Sequence, residues 1–132
     1  MNLSDYVKEL IAENWMNGQA NSVPATLYVG LDTVARASDG TGTEVANANA
    51  YARVAVTDGF TWSDPQMSNT DPVTFPAASG GSWGTVVGLS IWDASPHGTG
   101  NLLYFGQLNA SKTIDDGETF AFGAGDLIVS WN

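Results

Sequence analysis

Thr85-Val86-Val87-Gly88-Leu89-Ser90-Ile91-Trp92-Asp93-Ala94 is the stretch whose reading decides the fold. Val87, Leu89 and Ile91 alternate with Val86, Gly88, Ser90 and Trp92, the two-residue period of a strand whose successive side chains point to opposite faces. Branched and aromatic side chains suit a pleated, half-buried surface. Such a strand needs neighbours, and the flanking sequence supplies them. Pro96-His97-Gly98-Thr99-Gly100 is a glycine-rich turn that returns the chain into Asn101–Leu108, NLLYFGQL. Upstream, Val23-Pro24 opens a second alternating run. There Ala25, Leu27, Val29 and Leu31 interleave with Thr26, Tyr28, Gly30 and Asp32.

Further out, the same signals recur. Val54 and Val56 share one face of Ala50–Trp62, opposite Arg53, and Asp58-Gly59 has the chemistry of a tight hairpin turn into Phe60-Thr61-Trp62. Ser63 to Asp71 reads as a polar, proline-containing connection, followed by the short strand Val73-Thr74-Phe75, stopped by Pro76. Lys112-Thr113-Ile114, the turn Asp115-Asp116-Gly117, ETFAF and the closing run Leu127–Trp131 complete the chain. The pattern predicts a mainly β fold, an antiparallel β-sandwich of jelly-roll type with about eight strands and one N-terminal amphipathic helix. A partly closed barrel is the competing arrangement. Residues 1–18 are expected to form a helical arm and residues 19–132 a single β-sandwich domain.

Leu3, Tyr6, Val7, Leu10, Ile11 and Trp15 recur at three- and four-residue steps, so the arm carries one apolar stripe. Ser4 is placed to cap it, Asp5 sits where the helix dipole favours negative charge, and Asn17-Gly18 offers a left-handed stop. The stripe either covers an edge of the sheet or docks on a neighbouring subunit. The segment Ala35 to Asn49, rich in Ser, Gly, Thr and Asn, reads as a loop long enough to serve as a contact surface.

Charge narrows the partners. Four Lys and Arg stand against fourteen Asp and Glu, a net charge of −10. Lys8, Arg36, Arg53 and Lys112 are too few and too scattered to neutralise a run of phosphates or an anionic bilayer. No nucleic acid and no membrane is therefore expected as a partner. With no cysteine, disulfides and thiolate chemistry are excluded. No run approaches the ~18 apolar residues of a membrane span. The first fifteen residues lack the basic and apolar regions of a secretory signal, so assembly in the cytoplasm is expected.

Chemistry is sparse. His97 is the one histidine and lies in a Gly/Pro turn without a nucleophile elbow nearby. The aspartates Asp32, Asp39, Asp58, Asp93, Asp115 and Asp116 fall at turns and strand ends, where they cap backbone N–H groups. Asp115-Asp116-Gly117-Glu118 lacks the ligand spacing of a calcium loop. The runs GTGTE and SGGSWG lack the residues of a phosphate-binding loop. No catalytic residue, metal or cofactor is expected. Trp62 and Trp83, near loops, are the candidate surface aromatics, able to stack on a sugar or a protein partner.

The ordered string PATLYVGL, YARVAV, VTFPAA, WGTVVGLSIWDA, GNLLYFGQL and KTIDDGETFAF, behind an amphipathic helix, resembles a family of small tailed-phage virion structural proteins. The resemblance runs from about Leu3 to Trp131. It implies a β-sandwich or jelly-roll subunit of the virion, without enzymatic activity. Two roles follow from it: a capsid decoration or cement protein bound to the major capsid protein and to itself, as a trimer rather than a dimer, or a tail or tail-fibre component. The first is preferred at this point, because the chain is small and has no repeats. A carbohydrate-binding module is the alternative of a different class. The expected contact residues are Tyr6, Leu10 and Trp15 on the helix, and Asp39, Thr41 and Glu44 in the long loop.

Overall fold

The alternating runs fold as strands that pair in antiparallel order. In the computed structural model, which describes residues 1–21 and 23–130, the main sheet is built on three long strands: β2 (Tyr28–Val34), β8 (Gly84–Trp92) and β9 (Leu102–Ile114). β8 lies between the other two. β2 also pairs with β3 (Thr43–Glu44) and β4 (Val54–Ala55), and β9 pairs with β1 (Asn2–Leu3). A second sheet places β6 (Gln66–Asn69) between β5 (Phe60–Ser63) and β11 (Ile128–Ser130). A two-stranded ladder joins β7 (Val73–Thr74) to β10 (Ala121–Phe122). The mainly β antiparallel fold with one N-terminal helix is as the sequence pattern requires. There are eleven strands among the described residues rather than about eight, and five of them are two residues long. Trp131, the last residue of the closing alternation, lies outside the described residues.

One face of the main sheet carries Val29, Leu31, Leu89 and Ile91, paired row by row across β2 and β8. These residues join Val86, Ile114 and the aromatic group Tyr51, Phe75 and Trp83 in a single core. The rings meet edge-on or stacked: Tyr51 and Trp83 are 5.3 Å apart at 87°, and Phe75 and Trp83 6.4 Å apart at 76°. Such geometry aligns positive ring edges with negative ring faces.

The expected alternation in β8 breaks at one place. Val86, not Val87, is fully buried. The register explains it: Val86 pairs with Lys112 and Gly88 with Gln107, so Leu108–Ser111 lie opposite Val87 alone. Extra residues on one strand kink the ladder and re-aim its side chains.

Two segments read as connections hold strands. Ser63 to Asp71 contains β6, entered through a turn at the cis Asp64–Pro65 bond. The long loop Ala35 to Asn49 contains β3, which pins it to β2 at Asp32↔Glu44 and Val34↔Thr43. At Asp58-Gly59 both residues take positive φ, 52° and 65°, the turn conformation expected there, but β4 and β5 do not pair, so the turn closes no hairpin. The turn passes the chain from β4 in the main sheet to β5 in the other.

The N-terminal helix α1 (Asp5–Ile11) is capped as expected, with Val7 N–H donating to the Ser4 hydroxyl oxygen at 3.2 Å. Ser4 is itself buried, and its hydroxyl donates to the Leu102 carbonyl at 2.6 Å, tying the cap to β9. After Ile11 the helix widens into a π-type turn, Ala12–Met16, and ends at Gly18 with φ 68°.

Candidate functional site

The face of the main sheet opposite the core is covered at its centre, over β2 and β8. Gly30, Asp32, Gly88, Ser90 and Trp92 stand on it, and all are buried. Two of the four cations cover them. The Arg53 guanidinium lies 4.1 Å from the Trp92 ring centroid and that of Arg36 5.0 Å, cation–π distances for both. Arg53 binds Glu44 through two parallel hydrogen bonds, Nε to Oε1 at 2.9 Å and Nη2 to Oε2 at 2.8 Å. Its remaining nitrogen donates to the Ala94 and Thr99 carbonyls, both at 2.8 Å, so the arginine also fixes the turn between β8 and β9. Arg36 donates to Asp32 at 3.1 Å and to the Gly40 carbonyl at 3.0 Å, which holds the first part of the long loop.

Tyr51 links this layer to the core. Its hydroxyl donates to Glu44 Oε1 at 2.7 Å and accepts the Leu31 N–H at 2.9 Å. Gly30 makes the room: a methyl group there would lie 2.8 Å from Glu44 Oε1, 3.1 Å from the Tyr51 hydroxyl and 3.2 Å from the Ser90 hydroxyl.

The two buried carboxylates titrate in opposite directions. Burial pushes Glu44 up, but the hydrogen bonds from Arg53 and Tyr51 outweigh it and hold the carboxyl below its ordinary range. Burial pushes Asp32 up to about 6, against the opposing pull of Arg36. Asp32 Oδ1 is bonded to Arg36 and Ser90, whereas Oδ2 has no hydrogen-bond partner. That difference in satisfaction separates the two acids.

The contact residues expected from sequence fall in different places. Glu44 belongs to the buried ion pair and Trp83 is only 5% exposed, so neither offers a surface. Glu44 is buried because β3 brings it beside Asp32. Trp83 is buried because Tyr51 and Phe75 close over it and its indole N–H donates to the Asn49 carbonyl. Asp39 and Thr41 stay exposed and bond to each other, a local turn. Tyr6 faces a shallow groove beside Asp39 and Asn101, away from Leu10 and Trp15. His97 spends Nε2 on the Val45 carbonyl at 2.9 Å and packs edge-on to Tyr51. At the turn after β9, Asp116 accepts from Gly80 N–H and Glu118 from Asp115 N–H, so these acids cap backbone. Among the described residues no three His, Cys, Asp or Glu side chains converge as metal ligands, and no helix is long and apolar enough to cross a membrane.

The other notable surface is apolar. Between the N-terminal helix, the lead-in to β2 and β9 lies an open trough of about 510 Å³, lined among others by Leu10, Trp15, Val23, Leu27 and Tyr104 and by no charged residue. A hollow of about 80 Å³, lined by Leu27, Phe60, Met67, Tyr104 and Val129, shares two of its residues and leads toward β5, where Trp62 is 54% exposed. Trp15, Met16 and Val23 are 81%, 80% and 87% exposed. The stripe that was expected to dock therefore divides. Val7 is buried, Leu10 and Ile11 are half-buried, and Trp15 stands off, because the π-type turn changes the angular step after Ile11.

The family described as Podophage GP4 fiber I protein gp80 matches the chain over residues 2–130. No curated protein matches it. The chain belongs to that family, and it is a phage virion structural protein.

Proposed function

We propose, taking membership of this family as the premise, that the chain is a non-catalytic component of a podophage tail fibre, and not a capsid cement. The observation that carries this reading is the extent of the match, 129 consecutive positions from residue 2 to residue 130, to a family described as a fibre protein. The side chains support it. The titratable groups that converge are spent on holding loops: Glu44 on Arg53, Asp32 on Arg36, His97 on a carbonyl. Apolar surface is left open at Leu10, Trp15 and Trp62, which suits protein–protein contact.

The expected partners are other virion proteins and further copies of the chain. A fibre subunit of this size acts by repeated modest contacts whose effective concentration within the particle makes them strong. Copy number is the direct test. Quantitative mass spectrometry of purified virions, scaled to the major capsid protein, should return a few to a few dozen copies per particle, with antibody labelling confined to the tail. Hundreds of copies distributed over the head would restore the cement reading.

A further inference from the structure

We infer that residues 35–42 form a proton-gated strap over the Trp92 face, anchored by Arg36, held down most firmly while Asp32 is uncharged and lifting when Asp32 ionises. The inference stands on this chain's own residues and does not depend on the fibre assignment.

The strap leaves β2 after Val34 and returns to it through β3. Its return leg lies against its outgoing leg at Gly42, where φ is 140°. A methyl group there would meet Arg36 Cδ at 2.9 Å and the Ala35 carbonyl oxygen at 3.0 Å, so the two legs close only over a glycine. Three contacts hold the strap down. The Arg36 guanidinium donates to Asp32 at 3.1 Å and lies 5.0 Å from the Trp92 ring centroid. Further out, the Ser38 carbonyl accepts the Asp5 N–H at 2.8 Å, which joins the strap to the first turn of α1. Ser38, Asp39 and Gly40 thereby face Asp5 and Tyr6 across a groove of about 280 Å³ that Trp92 also lines. Lifting the strap opens that groove onto the tryptophan.

The anchor is uneven. Asp32 is completely enclosed; Oδ1 carries the bonds to Arg36 and Ser90, and Oδ2 has no partner. From β3, Glu44 faces it with a like charge, and Tyr51, Arg53 and, at 3.9 Å, His97 gather round Glu44. From β8 only the uncharged Ser90 reaches it. Ionised, Asp32 is drawn to Arg36 while its second oxygen is denied any donor. Burial outweighs the arginine, so the carboxyl that ordinarily ionises at 3.8 does so here at about 6. Lifting the strap removes the arginine but admits water, the better partner of the two. The closed state therefore holds the proton more tightly than the open one. Acid favours closure; rising pH favours lifting between about pH 4 and pH 6, with no further change above.

Amide hydrogen exchange on the full chain, followed by NMR from about pH 4 to about pH 7.5 and corrected for intrinsic rates, reads the opening. Two reporters serve: the Asp5 N–H, bonded across to Ser38, and the Trp92 indole N–H, bonded to Ser90 at 2.8 Å under the Arg36 guanidinium. Protection at both should fall by about tenfold or more between pH 4 and pH 7, while the slowest amides of the β2–β8 ladder stay far better protected. Asp32→Asn should keep both reporters at the acid-side protection and flatten the profile. His97→Gln should leave the step in place. Arg36→Gln should lower protection at both reporters already at about pH 4. A flat profile in the parent, protection that rises with pH, a step that survives Asp32→Asn or vanishes in His97→Gln, or unchanged protection in Arg36→Gln would each overturn the inference.

Discussion

Trp92 and Trp15 are the same side chain in opposite surroundings. Trp92 is 9% exposed, with two arginines over its ring and its indole N–H on Ser90 at 2.8 Å. Trp15 is 81% exposed, on the rim of a trough that carries no charge. Around Trp92 the sequence spends its scarce cations, half of the total, to seal one face of a sheet and lock two loops. Around Trp15 it spends nothing, and the apolar surface stays open. The difference teaches where this protein is finished and where it waits for contact. A region with nearly every polar atom paired has no spare valence for a partner. An exposed indole beside an apolar hollow has little else to offer.

The comparison breaks first at the ion pair. Replacing Arg53 by Ala leaves Glu44 charged, buried and without its bidentate partner, so a loss of roughly 3–5 kcal/mol is expected in urea denaturation. A chain that tolerated this change within 1 kcal/mol, roughly the effect of a surface substitution, would mean that the Trp92 face is not sealed as described.

Asp32 tests the same face by pH. Its ordinary value is 3.8 and its folded value about 6. Between those values the folded chain keeps a proton that the unfolded chain has released. This residue's contribution is therefore favourable below about pH 4, falls as pH rises to about 6, and is flat above; across the window it amounts to at most about 3 kcal/mol. Glu44, held below its ordinary value, works in the opposite direction, losing its contribution as pH falls below about 4.5. Comparing Asp32→Asn with the parent isolates the first effect: the difference between their denaturation free energies should shift by that amount between pH 4 and pH 7, and a constant difference would refute the assignment.

Gly30→Ala sharpens the comparison at closer range. The added methyl would press on Glu44 and Tyr51, and a loss of about 1–3 kcal/mol is expected, read as a lower melting temperature. The smallest effect belongs to the other region. Trp15→Ala should change the stability of the monomer by no more than about 0.5 kcal/mol, since the ring is already in solvent.

Sequence legibility followed the same division. The strands at Tyr28–Val34 and Gly84–Trp92 announce themselves by period, and Ser4 and Gly18 announce the ends of the helix, because each signal is local. β6 carries no alternation, since Gln66, Ser68 and Asn69 are polar and only pairing on both sides makes them a strand. Glu44 and Arg53 look like surface charges in any window. Their burial depends on Ala94 and Thr99, more than forty residues further on. Trp83 sits among glycines and serines and reads as a loop aromatic, whereas Tyr51 and Phe75 reach it from two other segments. The position of Trp15 turned on a single widened turn, which no periodicity reveals.

The pairing of β1 with β9 also has a meaning in time. Asn2 and Leu3 find their partners at Phe105 and Tyr104, and the Ser4 hydroxyl finds Leu102, 98 positions ahead. At about 5–20 residues per second, a ribosome needs on the order of 5–20 s to make that stretch. Throughout that interval the helix has no sheet to lie against and its apolar side chains are bare. Closing this edge is therefore among the late events of the chain's birth, and a crowded assembly site would meet the newborn protein with its N-terminal segment still uncommitted.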